Sequence, residues 1–180
     1  MTFICISGKA QSGKDTTADY ICTQLVGKFN KRVLKTHYAD LLKYICKQYF
    51  NWNGIKDANG RTLLQKVGTD IIRAKYPDFW VDFILNIIEM FPNEWDFVVI
   101  PDTRFPNEVL KLKQKEYNVV HIKVDRNNFD NGLTEIQTNH ISETALDGFE
   151  YDYILNNNSS YDNLYSQINP IINALIHKNS

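Results

Sequence analysis

Gly8-Lys9-Ala10-Gln11-Ser12-Gly13-Lys14, near the N-terminus, have the residue types and spacing to hold a phosphate. They match the GxxxxGK part of a Walker A loop. Glycine lets the backbone turn so that successive N–H groups face an anion, and a helix starting at the end of the loop adds its positive pole. Lys14 would then lie by the β- and γ-phosphate oxygens of ATP and offset the charge that develops during transfer. The expected ATP-binding set is Gly8, Lys9, Ser12, Gly13, Lys14, Asp15, Thr16 and Thr17. Asp15 stands where a Ser or Thr is usual. A carboxylate would not do the hydroxyl's work on Mg²⁺, so that role is assigned to Thr16. The competing reading is a Gly-rich turn that merely starts a helix, and the strand and helix patterns on either side weigh against it.

A second constellation is Trp95–Asp102, an apolar run that ends in a carboxylate, with Arg104 two residues on. An Asp at that point of a P-loop protein holds Mg²⁺ directly or through water. A planar, permanently charged Arg suits a bidentate grip on phosphate. The bland alternatives are an Asp102–Arg104 pair, or Asp102 as the cap of the helix that follows. No Ser/His/Asp or Cys/His set is evident. None is required if the acceptor is itself a phosphate, because its oxygen is already anionic and catalysis reduces to positioning and charge neutralisation. For an alcohol acceptor, Asp40 or Asp102 could serve as base.

The elements that must position these residues follow from periodicity. Thr2–Ser7 is a buried strand that stops at Gly8, and Ala18, Ile21, Cys22, Leu25 and Phe29 recur at helical spacing. Val33–Ala39 reads as a second strand and Asp40–Phe50 as a helix. Arg61–Lys75 reads as a helix with Leu64, Val67, Ile71 and Ile72 on one face. Pro77 ends that helix, and Asp78 is placed to cap the next, Phe79–Phe91. Trp95–Pro101, Asn118–Val124 and Tyr151–Leu155 complete five strands, with helices at Asn107–Glu116 and after Asn156. Strands alternating with helices predict an α/β three-layer fold: a mainly parallel five-stranded sheet covered on both faces. Ligands then gather at the carboxyl ends of the strands, near Gly8, Asp40, Asp102, Arg126 and Asn156.

The 180 residues suit one domain, and a net charge of −1 argues against a nucleic-acid-coating protein. Among Lys and Arg only Lys178 lies after Arg126, so a phosphate-binding surface must come mainly from the first 126 residues. Cys5, Cys22 and Cys46 show neither zinc nor disulfide spacing. No stretch reaches membrane-spanning length. These features suggest a cytoplasmic setting and leave a homodimer open.

Several blocks occur in an order that resembles the phage-type deoxynucleoside monophosphate (dNMP) kinases: GKAQSGKDTTAD at Gly8–Asp19, YADLLK at Tyr38–Lys43, GTDIIR at Gly68–Arg73, PDFWV at Pro77–Val81, DTRFPNE at Asp102–Glu108 and HISE at His140–Glu143. GKDTTAD and DTRFPNE are the specific ones. A weaker likeness runs to phosphomevalonate kinases. The resemblance implies a P-loop, NMP-kinase-like fold with a core (1–38, 95–125, 148–180), an acceptor arm (about 39–94) and a lid (about 126–142). It implies ATP with Mg²⁺ held by Thr16 and Asp102, and a dNMP as acceptor. Asp40, Lys43, Arg61, Gln65, Arg73 and Trp80 fall in the acceptor arm. Asp102, Arg104 and Glu108 fall between the two sites. Arg73 could meet the acceptor phosphate and Trp80 its base, although apolar neighbours favour burial of Trp80 in the core. Arg126 would be the one lid arginine, so Lys14, Arg104 and Arg73 would carry more of the charge. His140 reads as a satisfied surface histidine, and Asn156 falls where the adenine would rest. A nucleotide-dependent switch without acceptor chemistry is the alternative of a different class.

Overall fold

The computed structural model describes residues 1–127 and 129–178, the last as backbone only. Asn128, within the expected lid, lies outside the described residues.

Strand β1 (Thr2–Ser7) is buried along its whole length. It alternates between two cores: Phe3 and Cys5 face one, Ile4 and Ile6 the other. It pairs in parallel with β3 (Phe97–Ile100) on one side and β4 (Asn118–Asp125) on the other. The edges are β2 (Val33–Lys35) and β5 (Tyr153–Asn156), giving the order β2-β3-β1-β4-β5. Every pairing is parallel, where the sequence had suggested mainly parallel. The strand order reverses at β1, so the crevice at its carboxyl end is where such sheets bind ligands.

One face is covered by α1 (Lys14–Gly27) and α8 (Tyr161–Lys178). From these, Ala18, Ile21, Leu25, Leu164, Ile168, Ile171, Ile172 and Leu175 enter the core at the helical spacing expected. The other face is covered by α2 (Ala39–Tyr49), α4 (Phe79–Met90) and α5 (Pro106–Gln114). Burial of each large aliphatic side chain here contributes about 1.5–3 kcal/mol. Cys5, Cys22 and Cys46 are free thiols. Among the described residues no helix is long and apolar enough to cross a membrane.

Four local expectations change. Strand β2 ends at Lys35, not Ala39, because the N–H groups of Tyr38 and Ala39 turn onto the Asp102 carboxylate and start α2. The arm helix begins early, at α3 (Ala58–Gln65), where Asp57 accepts the Gly60 N–H at 2.7 Å. It then widens into a π-helical segment, Lys66–Arg73. That change of period breaks the predicted apolar face: Val67 stays buried while Ile71 is 50% exposed. Asp78 does not cap α4; its carboxylate accepts instead from Asn107 Nδ2 (2.7 Å) and Lys111 Nζ (2.9 Å), joining α4 to α5. Within 126–142, where no helix was expected, α6 (Glu135–Thr138) and the start of α7 (Ile141–Thr144) lie.

Candidate active site

The loop after β1 is wound as an anion cradle. Gly8 and Gly13 have φ of 147° and 104°, which favour glycine. A Cβ on Gly8 would meet the Val124 carbonyl oxygen at 2.4 Å, and one on Gly13 would meet Asn157 Nδ2 at 2.3 Å. Lys14 leads into α1 and folds back over the loop, its Nζ donating to the carbonyls of Gly8 (2.8 Å) and Lys9 (2.7 Å). Burial, with Arg104 adding its repulsion, pulls the Lys14 pKa down to about 7. Lys14 is thus a poorly solvated amine folded against its own loop.

Two cavities, of about 390 and 400 Å³, share this lysine in their walls. Gln11, Lys14 and Asp15 line both. The first is closed by Gly13, Thr16 and Arg126 and by the β5–α8 turn through Asn157, Ser159, Ser160 and Tyr161. Arg126 lies with its guanidinium 3.7 Å from the Phe129 ring centroid, and its Nη1 donates to Gln11 O at 3.4 Å. Asn156, expected in this cavity, is occupied with Gln167 and Asn158; the neighbouring Asn157 lines the wall and donates to Ser12 O. Ser12 Oγ and Thr17 Oγ1 are buried without a hydrogen-bond partner among the described residues. Thr17 lines neither cavity. Lys9 also turns away, to Asp147 (2.8 Å).

The second cavity gathers residues from distant parts of the chain. Lys43, Arg61, Gln65, Arg73, Trp80, Asp102, Arg104 and Glu108 all line it. Asp40 does not; it pairs with Lys43 (2.8 Å) and His37 (3.3 Å). Trp80 is 3% exposed, its indole N–H donating to Gly68 O, so it is a core ring that also forms cavity wall. Arg73 is held by Glu108, Asn107 and Pro77 O, with Phe105 stacked 3.9 Å away. Glu108 is buried and accepts the N–H groups of Arg104 (2.7 Å) and Phe105 (3.1 Å). Burial pushes its carboxyl up to about 7, against the pull of Arg73. Asp102 neither pairs with Arg104 nor caps the helix after it. Its two oxygens take the Tyr38 and Ala39 N–H groups at 2.9 Å each.

Four neighbours in this cavity escaped the sequence reading. Glu143 in α7 pairs with Arg104 and accepts the Ala10 N–H at 3.2 Å, so a carboxylate sits where two anion-binding groups meet. The HISE block marked this stretch without giving Glu143 a task. His37 lies between Asp15 (3.0 Å) and Asp40, and its hydrogen bond holds the Asp15 carboxyl down at about 2. Phe105 and Lys56 complete the set. His140 is satisfied by Asp70 (3.0 Å) and Ser142. Buried Gln137 donates to Ala58 O and Thr62 Oγ1, and Gln65 to Gln137 O. The 134–144 segment is thereby fastened to α3, while Asn131 O accepts from Gln11 in the loop after β1.

Among the described residues no group of three or more His, Cys, Asp or Glu side chains forms a metal cage. The Thr16 hydroxyl, lining the first cavity, and the Asp102 carboxylate, lining the second, are hard oxygens of the kind Mg²⁺ takes.

Comparison with known proteins shows the family to which the chain belongs. The chain matches the deoxynucleotide monophosphate kinase family over residues 31–168. A protein of Acanthamoeba polyphaga mimivirus, described as a candidate deoxynucleotide monophosphate kinase, is 30% identical, covering 93% of this chain and 94% of its own. The deoxynucleotide monophosphate kinase of Escherichia phage RB69 is 30% identical over 67% of this chain, a match that spans 48% of the phage protein. In fold, the chain is similar to the Mycobacterium tuberculosis APS kinase CysC solved with AMPPNP and APS: TM-score 0.52, 11% identity, 98% of this chain and 97% of that one. The APS kinase likeness shows the three-layer P-loop architecture alone. The family match covers most of the chain and takes in both cavity walls beyond the phosphate loop, and on that ground the chain belongs to the deoxynucleotide monophosphate kinase family.

Proposed function

We propose that this chain transfers the γ-phosphate of ATP to a deoxynucleoside monophosphate, giving ADP and a deoxynucleoside diphosphate. The observation that carries the proposal is the pair of cavities meeting at Lys14, one against the phosphate loop and one against the arm. Donor and acceptor enter from opposite sides, and the acceptor's phosphate oxygen attacks the γ-phosphorus as the bond to the β–γ bridging oxygen breaks. ADP leaves with that electron pair. Lys14 and Arg104 face the transferring group, Arg126 covers the donor side, and no protein base is needed. Thr16 and Asp102 would hold Mg²⁺, which would supply charge neutralisation on the phosphates. The segment 126–142 acts as the lid and 39–94 as the acceptor arm.

The test couples ADP release to a panel of dAMP, dGMP, dCMP, dTMP, modified analogues and phosphomevalonate. Turnover with at least one dNMP is expected. Intact ATP binding with no dNMP turnover would contradict the proposal.

The depressed Lys14 pKa yields a further expectation. Between about 7 and the ordinary 10.5 the unfolded chain holds a proton that the folded chain lacks. The stability of the free protein therefore rises with pH across that window. Bound phosphates restore the charge, so ATP binding at about pH 8 should take up close to one proton. Calorimetry in buffers of different ionisation enthalpy reads this, and Lys14→Met should abolish it.

A further inference from the structure

We infer that Lys56, presented together with Arg61 from the turn that opens α3, binds the 5′-phosphate of the acceptor. The inference rests on the proposed function and adds a residue to its acceptor site.

Charge pairing across the second cavity leads there. Six Lys or Arg side chains line it: Lys14, Lys43, Lys56, Arg61, Arg73 and Arg104. Three of them already have a carboxylate: Lys43 has Asp40, Arg73 has Glu108, and Arg104 has Glu143. The carboxylates that line the cavity are engaged as well. Asp15 is held by His37, and Asp102 by two backbone N–H groups. Lys14 belongs to the phosphate loop and serves the donor. Lys56 and Arg61 remain, with no ion-pair partner among the described residues.

The turn that carries them is fixed rather than loose. The Trp52 indole donates to Ile55 O at 3.0 Å, and Asp57 caps α3 through the Gly60 N–H. Arg61 Nε donates to the Lys56 carbonyl at 3.0 Å, which ties the two residues together, and the Arg61 terminal nitrogens have no partner among the described residues. Gly60 is pressed against the turn so closely that a Cβ would lie 2.1 Å from Ile55 O. Two like charges held side by side on a rigid turn repel each other unless an anion joins them. Lys56 is solvent-exposed yet crowded: desolvation, with Lys43 and Arg61 repelling it, lowers its pKa, and Asp15 partly offsets this. A phosphate monoester dianion relieves that repulsion and reaches both donors. Arg73, by contrast, spends its terminal nitrogens on Glu108, Asn107 and Pro77 O, so it shapes the wall more than it grips a ligand.

The experiment compares wild type, Lys56→Ala, Lys56→Arg and Lys56→Glu in steady-state turnover with both substrates varied. Calorimetry alongside compares binding of the preferred dNMP with binding of its deoxynucleoside. For Lys56→Ala the acceptor KM should rise about tenfold with the ATP KM within about twofold. Lys56→Glu should raise it further, and Lys56→Arg should restore most of the loss. The preference for monophosphate over nucleoside should fall in step. An unchanged acceptor KM in Lys56→Ala and Lys56→Glu, or an equal rise in both KM values, would overturn the inference. Absence of turnover in the wild type would instead overturn the proposed function, and the inference with it.

Discussion

Lys14→Ala is expected to turn over about a hundred- to a thousandfold more slowly than the wild type, a loss of about 2.7–4 kcal/mol in transition-state stabilisation. The side chain is 8% exposed and lines both cavities, so no water-borne cation replaces it at the moment of transfer. The same burial makes the charge a cost to the ligand-free protein, since it holds the ammonium at a pKa of about 7. Removing it should therefore leave the melting temperature of the free protein unchanged or raised. That combination separates a catalytic lysine from a structural one. Circular dichroism melts and single-turnover assays on the same preparation read both. A folded Lys14→Ala protein with near-native turnover would contradict the assignment.

Glu108→Ala is expected to cost about 3–5 kcal/mol of folding stability. The cost should be less above about pH 7 than below it, because burial raises the Glu108 carboxyl to about 7 and makes the ionised form the less favourable one in the fold. The carboxylate is 2% exposed and satisfies three groups together: the Arg73 guanidinium and the N–H groups of Arg104 and Phe105. Deleting it strands a mostly buried guanidinium that has only neutral partners left. It also uncaps the first turn of α5 and frees the backbone that aims Arg104 at the cavity. Glu108→Gln keeps the shape and one acceptor oxygen, so it should lose less. Urea denaturation at constant m-value measures both variants. Equal, small losses would show that the buried pair contributes nothing beyond packing.

The features legible in the sequence are those that local chemistry dictates. The turn at Gly8–Lys14 could be read because it is contiguous and its glycines have few substitutes at φ of 147° and 104°. The inward faces of α1 and α8 could be read because their periods are unbroken. The arm helix failed at Ile71 because a π-helical stretch has no clear mark in residue types. Asp102 was recognised as a strand-end carboxylate. Its partners, the Tyr38 and Ala39 N–H groups, lie more than sixty residues earlier and on the backbone, where side-chain identity carries no information. Glu143 beside Arg104, and Lys56 without a counter-ion, are likewise facts of tertiary placement. A lysine in a polar turn reads as surface until the carboxylates around it are seen to be taken.

The central claim is direct phosphoryl transfer between ligands that meet at Lys14. The most direct measurement incubates the protein with ATP radiolabelled at the γ-phosphate, Mg²⁺ and each dNMP, and then separates the products. The label is expected on the β-phosphate of a deoxynucleoside diphosphate, formed in step with ADP and absent in Lys14→Ala. Label recovered only as inorganic phosphate, at a rate indifferent to every dNMP, would contradict the account.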